Sequence, residues 1–236
     1  MKEIGLSFLE KIVRTRTVES FRFQLPQALD FIPGQFSQVI FDELNRDNKE
    51  LNKYLSFSSS PTKKYIEVTK RLSESKFSQR LNVLKVNDEL LFKTPLGSCV
   101  FQDSYKKIAF LIGGIGITPV ISIIEYIMDK KLDTDVCLIY SNRTEEEIAF
   151  KNELDGWKLK NKNIKVSYVV TDCPPREATC IFGRIDEGLL KKYMCDMSQR
   201  VIFTFGPPKM VEAMNNLCLG MGCSKEQIKT EQFIGY

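Results

Sequence analysis

The stretch best suited to chemistry is Gly113-Gly114-Ile115-Gly116-Ile117-Thr118-Pro119, which follows the apolar run Ile108–Ile112. Glycines let a backbone approach a ligand closely, and a helix start offers free N–H groups and positive potential to a phosphate. Thr118 is a good N-cap, and Pro119 suits a first helical position, where its missing N–H costs nothing. After the next apolar run comes Ser141-Asn142-Arg143, where a doubly wound fold would bind an adenosine ribose. No carboxylate stands at that strand end, and Arg143 could pair with a 2′-phosphate. Thr144 and Glu147 also have the spacing of a capping box, which predicts a helix over Glu145–Leu154. A rigid turn, Gly206-Pro207-Pro208-Lys209-Met210, closes a later buried run and again falls where open α/β sheets bind ligands.

Composition narrows the chemistry further. The 236 residues contain 0 histidines, which excludes Ser-His-Asp and Cys-His catalysis, histidine-ligated metal and imidazole proton shuttles. Reactivity must come from a carboxylate, a lysine, a thiol or a cofactor. The 7 cysteines are odd in number, and the start Met1-Lys2-Glu3-Ile4 is no signal peptide. Reduced thiols and a cytoplasmic location follow as the expectation. Cys218 and Cys223 lack the further cysteine that a plant-type iron–sulfur spacing needs, so they read as buried apolar residues and no metal site is expected. Lys+Arg 34 against Asp+Glu 30 leaves a net charge of +4 with no basic block, which gives no support to a nucleic-acid partner. The apolar stretch from Ile108 to Ile124 is broken by Gly113, Gly114, Gly116 and Pro119. It suits a buried strand, turn and helix, and no membrane span is expected.

These residues need elements to position them. Up to about Phe101 the chain alternates apolar and polar residues over Glu3–Thr15, Phe21–Leu25, Phe36–Phe41, Tyr65–Arg71 and Glu89–Lys93, with one short helical segment near Phe77–Leu84. That pattern predicts a small antiparallel β-barrel or sandwich. From Lys106 onward, apolar runs at Ile108–Ile112, Val136–Tyr140, Ile164–Val170 and Val201–Phe205 alternate with helical segments. Short apolar runs between helices mark strands buried on both faces, hence an α/β doubly wound parallel sheet. The expected architecture is two domains, 1–102 and 103–236.

In this order the motifs resemble the ferredoxin–NADP reductase superfamily, over essentially the whole chain. Pro33-Gly34-Gln35-Phe36 is similar to its P-G-Q-F/Y strand start, and Lys53-Tyr54-Leu55-Ser56 to its R-x-Y-S. Thr94-Pro95-Leu96-Gly97, the Gly113–Pro119 loop, Gly206–Met210 and Glu231-Gln232-Phe233 follow in the family's sequence. The resemblance implies an FAD-binding β-barrel followed by an NAD(P)-binding domain, with FAD and NADP or NAD as cofactors. It implies hydride transfer from nicotinamide C4 to flavin N5 in the cleft between domains, then electron transfer to a redox-protein or small-molecule acceptor such as ferredoxin.

Roles carry over by position. Ser56 would hydrogen-bond the flavin near N5, Leu55 would cover one ring face, Lys53 would meet the pyrophosphate, and Tyr54 and Phe57 would be among the cofactor-binding residues. Thr69 and Arg71 would contact ribityl or phosphate, and Lys76, Phe77 and Ser78 would form the second phosphate turn. Gly113, Gly114, Gly116, Ile117, Thr118 and Pro119 would hold the nicotinamide nucleotide, with Ser141, Asn142, Arg143, Gly206, Pro207 and Met210. Ser56, Thr118, Glu231 and Phe233 would stand nearest the reacting atoms. The chain departs from the family pattern at Lys53 for arginine, Leu55 for an aromatic, Phe205 for cysteine and Ser75 for glycine. Two rival readings are an electron-transfer subunit of a larger redox complex and a non-catalytic nucleotide-binding protein.

Overall fold

The computed structural model describes residues 2–25, 29–176 and 179–233. These residues divide into two compact units, the first comprising the described residues up to 101 together with 118–129, the second 102–117 and the described residues from 130 onward. In the first unit, β1 (Lys2–Val13), β2 (Val18–Gln24), β3 (Phe36–Ile40), β4 (Asn52–Ser56), β5 (Tyr65–Arg71) and β6 (Glu89–Leu96) form one sheet in the order β4-β3-β6-β1-β2-β5. All its pairings are antiparallel, and a bridge between Phe57 and Val68 nearly closes it into a barrel. Alternation turns Phe8, Phe23, Val39, Leu55, Val68 and Phe92 into one core, where Phe23 meets Phe92 edge-on at 4.9 Å. A short helix, α1 (Lys76–Asn82), buries Phe77 and Leu81 against the same core. Most of α2 (Ile117–Lys130) also packs with this unit.

The second unit contains β7 (Lys107–Gly113), β8 (Asp135–Asn142), α3 (Lys151–Lys160), β9 (Ile164–Val170), β10 (Cys180–Phe182), α4 (Glu187–Tyr193), β11 (Val201–Gly206), α5 (Pro208–Gly220) and β12 (Ile228–Gln232). Its sheet runs β10-β9-β8-β7-β11-β12, with every pair parallel. Strand order reverses beside β7, so the carboxyl ends of β7, β8 and β11 border the crevice where such sheets bind ligands.

The opposite end of this sheet is held by ions. Arg200, 4% exposed, donates to the carbonyls of Ile108 (3.0 Å) and Asp135 (3.2 Å) and to Asp196 (2.6 Å). Lys107 also pairs with Asp196, and Lys165 with Asp135, both at 3.0 Å. Hydrogen bonding from Arg200 draws the Asp196 carboxyl down to about 2. Arg200→Met would remove the guanidinium donor from two strand carbonyls and leave Asp196 with Lys107 alone. It is expected to lower unfolding free energy by about 3 kcal/mol, read by urea denaturation.

Two local expectations differ from the structure. No helix covers Glu145–Leu154: a 3₁₀ turn takes Glu145–Glu147, and α3 starts only at Lys151. Ile148 is extended, with ψ 93°, and Phe150 is left-handed, with φ 61°, so the backbone leaves the helical region between the 3₁₀ turn and α3 while Ile148, Ala149 and Phe150 are buried. Thr144 accordingly makes no side-chain cap. Nor does Thr118 cap α2, because a 3₁₀ turn at Gly114–Gly116 runs directly into Ile117 and places Thr118 and Pro119 inside the first turn.

Candidate functional site

In the first unit, β4 separates its side chains by alternation. Leu55, 3% exposed, enters the barrel core, so the residue expected over the flavin ring is a core residue. Tyr54 and Ser56 share the other face. The Tyr54 ring is 60% exposed and stands edge-on to Phe36 at 5.8 Å. Ser56 is 4% exposed, and its Oγ has no hydrogen-bond partner. Buried hydroxyls are normally paired, and leaving one unpaired costs about 1–3 kcal/mol. An aromatic face beside an orphaned hydroxyl fits a planar heterocycle with a polar edge. Phe57 sits in the core against Phe31, 4.3 Å between ring centres.

The turn after Ser56 is fixed from below. Glu67, 1% exposed, accepts from Arg14 (3.0 Å), Arg22 (2.9 Å) and the Ser58 hydroxyl (3.1 Å). The Glu67 N–H donates to Ser59 Oγ at 2.9 Å. Thr69 joins this chain through Ser20 and Ser58, both at 2.7 Å, so its hydroxyl lies inside the network.

A basic pair lies on β4 and β5. Lys70 follows Ile66 and Val68 on the inward face and is 4% exposed; burial first, and the neighbouring Lys53 second, lower its ammonium to about 8. Lys70 Nζ donates to the Arg71 carbonyl at 3.1 Å, and a second cation on the strand beside Lys53 suits a pyrophosphate that lacks a bidentate arginine at 53. Sequence reading missed Lys70; its only signal was a lysine at an inward position of an alternating strand. Arg71 donates to Thr17 Oγ1 at 2.8 Å. In the second phosphate turn Ser75 caps α1 by accepting from the Ser78 N–H, and the Ser78 hydroxyl turns inward to Ser73 and Ser75. Lys76 pairs with Glu50 at the surface, and Phe77 lies in the core.

The second unit brings together the carboxyl ends of its central strands. Tyr140, fully buried, donates its hydroxyl to the Gly114 carbonyl at 3.0 Å and so holds the glycine turn, a role invisible in sequence. Gly113 lies beneath the Met210 side chain and beside Pro207. At Gly116 a Cβ would overlap the carbonyl of Phe205 and come within 2.8 Å of the Gly206 nitrogen. Asn142, 5% exposed, ends β8 with both amide atoms unpartnered, while Ser141 is half-buried and Arg143 exposed. These orphaned amide atoms, with the glycine turn beside them, fit a nucleotide. Phe205 is wholly buried beside Phe203. Phe233 donates its N–H to the Gly206 carbonyl at 3.0 Å.

Glu231 lies opposite Phe205 in the β11–β12 register, and its Oε2 is buried without a partner. Burial raises its carboxyl to about 7. The folded protein therefore holds this proton more tightly than the unfolded chain. The resulting stabilisation is complete below pH 4.5 and lost as pH rises through about 7. Against the non-titrating Glu231→Gln, the cofactor-free protein is expected to lose about 3 kcal/mol across that window, measured by denaturation at each pH.

The comparisons agree with this geometry. Residues 6–101 match the oxidoreductase FAD-binding domain family, and residues 110–216 the oxidoreductase NAD-binding domain family. NADH-cytochrome b5 reductase 1 of Dictyostelium discoideum is 29% identical over 94% of this chain and 79% of its own length. Nitrate reductase [NADH] 1 of Nicotiana tabacum is 28% identical over 89% of this chain, which spans 26% of that protein. A ferredoxin NADP+ reductase from Neisseria gonorrhoeae, solved with FAD and NADP, shares the fold at a TM-score of 0.82 and 21% identity, covering 98% of this chain and 99% of that one. An oxidoreductase FAD-binding domain followed by an oxidoreductase NAD-binding domain makes this chain an FAD- and NAD-binding oxidoreductase with the two-domain fold of a ferredoxin NADP+ reductase.

Proposed function

We propose that this protein takes electrons from NADH and delivers them to a haem protein of the cytochrome b5 type, with residues 1–102 holding FAD and 103–236 the nucleotide. The observation that carries the proposal is the buried, unpartnered Ser56 hydroxyl on the same face of β4 as the exposed Tyr54. The names of the relatives support donor and acceptor. FAD, when bound, supplies acceptance of a hydride from the nicotinamide and onward release of electrons. The protein's share is orientation and electrostatics. Ser56 would donate to the polar edge of the ring, Tyr54 would offer it an aromatic face, and Lys53 and Lys70 would neutralise the pyrophosphate. Gly113–Gly116 admits the nucleotide to the backbone N–H groups, Thr118 and Pro119 border the nicotinamide, and Asn142 gives its free amide to the nucleotide. Glu231 and Phe233 close the second unit's side, where the carboxyl of Glu231 can hold a proton near neutral pH. The setting is a reducing, cytoplasmic one, which the seven free cysteines support. Among the described residues no helix is long and apolar enough to cross a membrane.

Arg143 favours a second reading, with NADPH as donor, because its exposed guanidinium stands at the β8 end without a competing strand-end carboxylate. Steady-state rates of the FAD-loaded protein with each nucleotide, using ferricyanide and then cytochrome b5 as acceptor, test both. A higher kcat/KM with NADH and turnover of cytochrome b5 are expected. A preference for NADPH that Arg143→Ala abolishes would establish the second reading, and no turnover with either nucleotide would refute both.

A further inference from the structure

Within the first unit, α2 meets the turn after Ser56 through one helix face. Ser122, Glu125 and Asp129 are spaced three and four residues apart and so lie together on that face. Ser122 donates its hydroxyl to the Ser59 carbonyl at 2.7 Å, and Glu125 Oε2 accepts the Ser60 N–H at 2.7 Å. Lys63 bridges Glu125 Oε1 at 3.2 Å and Asp129 at 2.9 Å, and Thr62 also donates to Asp129. Ser59, Ser60 and Ser122 are all at most 1% exposed. The same turn is held on its other side by Glu67, through Ser58 and Ser59. It is therefore gripped from two directions: four residues upstream of Ser60 stands Ser56, and seven residues upstream of Glu125 stands Thr118.

We propose that Glu125, neutralised by Lys63, is a positioning residue that sets the first turn of α2, with Thr118, in register with the flavin-edge hydroxyl of Ser56. Glu125 touches neither cofactor in this scheme; it acts through the Ser60 N–H and through its own helix. Two of the groups that the proposed function places at the reacting atoms, Ser56 and Thr118, then depend on one carboxylate. Misplacement by about 1 Å costs on the order of a hundredfold in such reactions, so a looser grip is read as rate rather than affinity. A carboxylate this enclosed also needs its partners: burial raises its proton affinity, and the Ser60 N–H and Lys63 oppose that rise. The inference rests on the proposed function.

The test is anaerobic stopped-flow reduction of FAD-loaded protein over a range of NADH concentrations. Glu125→Ala is expected to lower the limiting reduction rate about tenfold, with the nucleotide dissociation constant and flavin spectrum nearly unchanged. Glu125→Gln, which keeps an acceptor for Ser60, is expected to recover most of the rate. Lys63→Ala, at a partly exposed side chain, gives a second variant for which a loss of about threefold in the same rate is expected. A limiting rate unchanged in both alanine variants would overturn the inference while leaving the proposed function standing. A loss matched by lost FAD, or not recovered by Glu125→Gln, would also overturn it, as a merely structural role. If neither NADH nor NADPH reduces the wild-type protein, the proposed function falls and the inference with it.

Discussion

Gly116→Ala is expected to lower kcat/KM for the pyridine nucleotide by a hundredfold or more while the protein still retains FAD. The added Cβ runs into the Phe205–Gly206 peptide group: it overlaps the Phe205 carbonyl oxygen and comes within 2.6 Å of its carbon and 2.8 Å of the Gly206 nitrogen. A flexible side chain could swing away, but the end of β11 is locked between β7 and β12. The glycine turn must move instead, and displacements of this size misalign bound reactants. Overpacking a fixed backbone costs about 1–3 kcal/mol, so the thermal midpoint should also fall by several degrees. Gly220→Ala is the control, because at the end of α5 its Cβ meets nothing within 4 Å. Equal nucleotide kinetics in the two variants would show that the Gly116 contact does not shape the turn.

Ser56→Ala separates stability from activity. In the cofactor-free protein its hydroxyl is buried and unpaired, so removing it should leave stability unchanged or raise it by about 1 kcal/mol. In the proposed complex the same hydroxyl donates to the flavin edge. Its loss is expected to slow flavin reduction about 10–100-fold, the worth of a hydrogen bond to a group that becomes charged. A variant that is stable, yellow and slow is the signature of a residue kept for function against stability. A variant that is less stable and equally fast would place Ser56 in the barrel's packing alone.

Much of the architecture was legible because burial leaves a periodic trace. Apolar runs on β7, β8, β9 and β11, separated by helices, could only be central parallel strands, and alternation along β5 marked a barrel wall. The glycine turn announced itself through residue types that few other backbone settings require. What sequence could not show depends on register or on distant partners. Tyr140 reads as one more strand aromatic until the β7–β8 register sets it beside the glycine turn. Glu125 looks like an ordinary helix carboxylate, because Ser60 lies 65 residues away. Lys70 was concealed by the habit of reading lysines as solvated, and the helix expected over Glu145–Leu154 is interrupted by the extended Ile148 and left-handed Phe150, which a local capping pattern does not foretell.

The measurement closest to the central claim is anaerobic mixing of the pure, FAD-reconstituted protein with one equivalent of NADH, followed through the visible flavin absorption. The account predicts stoichiometric FAD binding, bleaching of the flavin band on mixing, and return of the colour when oxidised cytochrome b5 is added. Protein that binds no flavin, or flavin whose band survives excess NADH and NADPH alike, would contradict it.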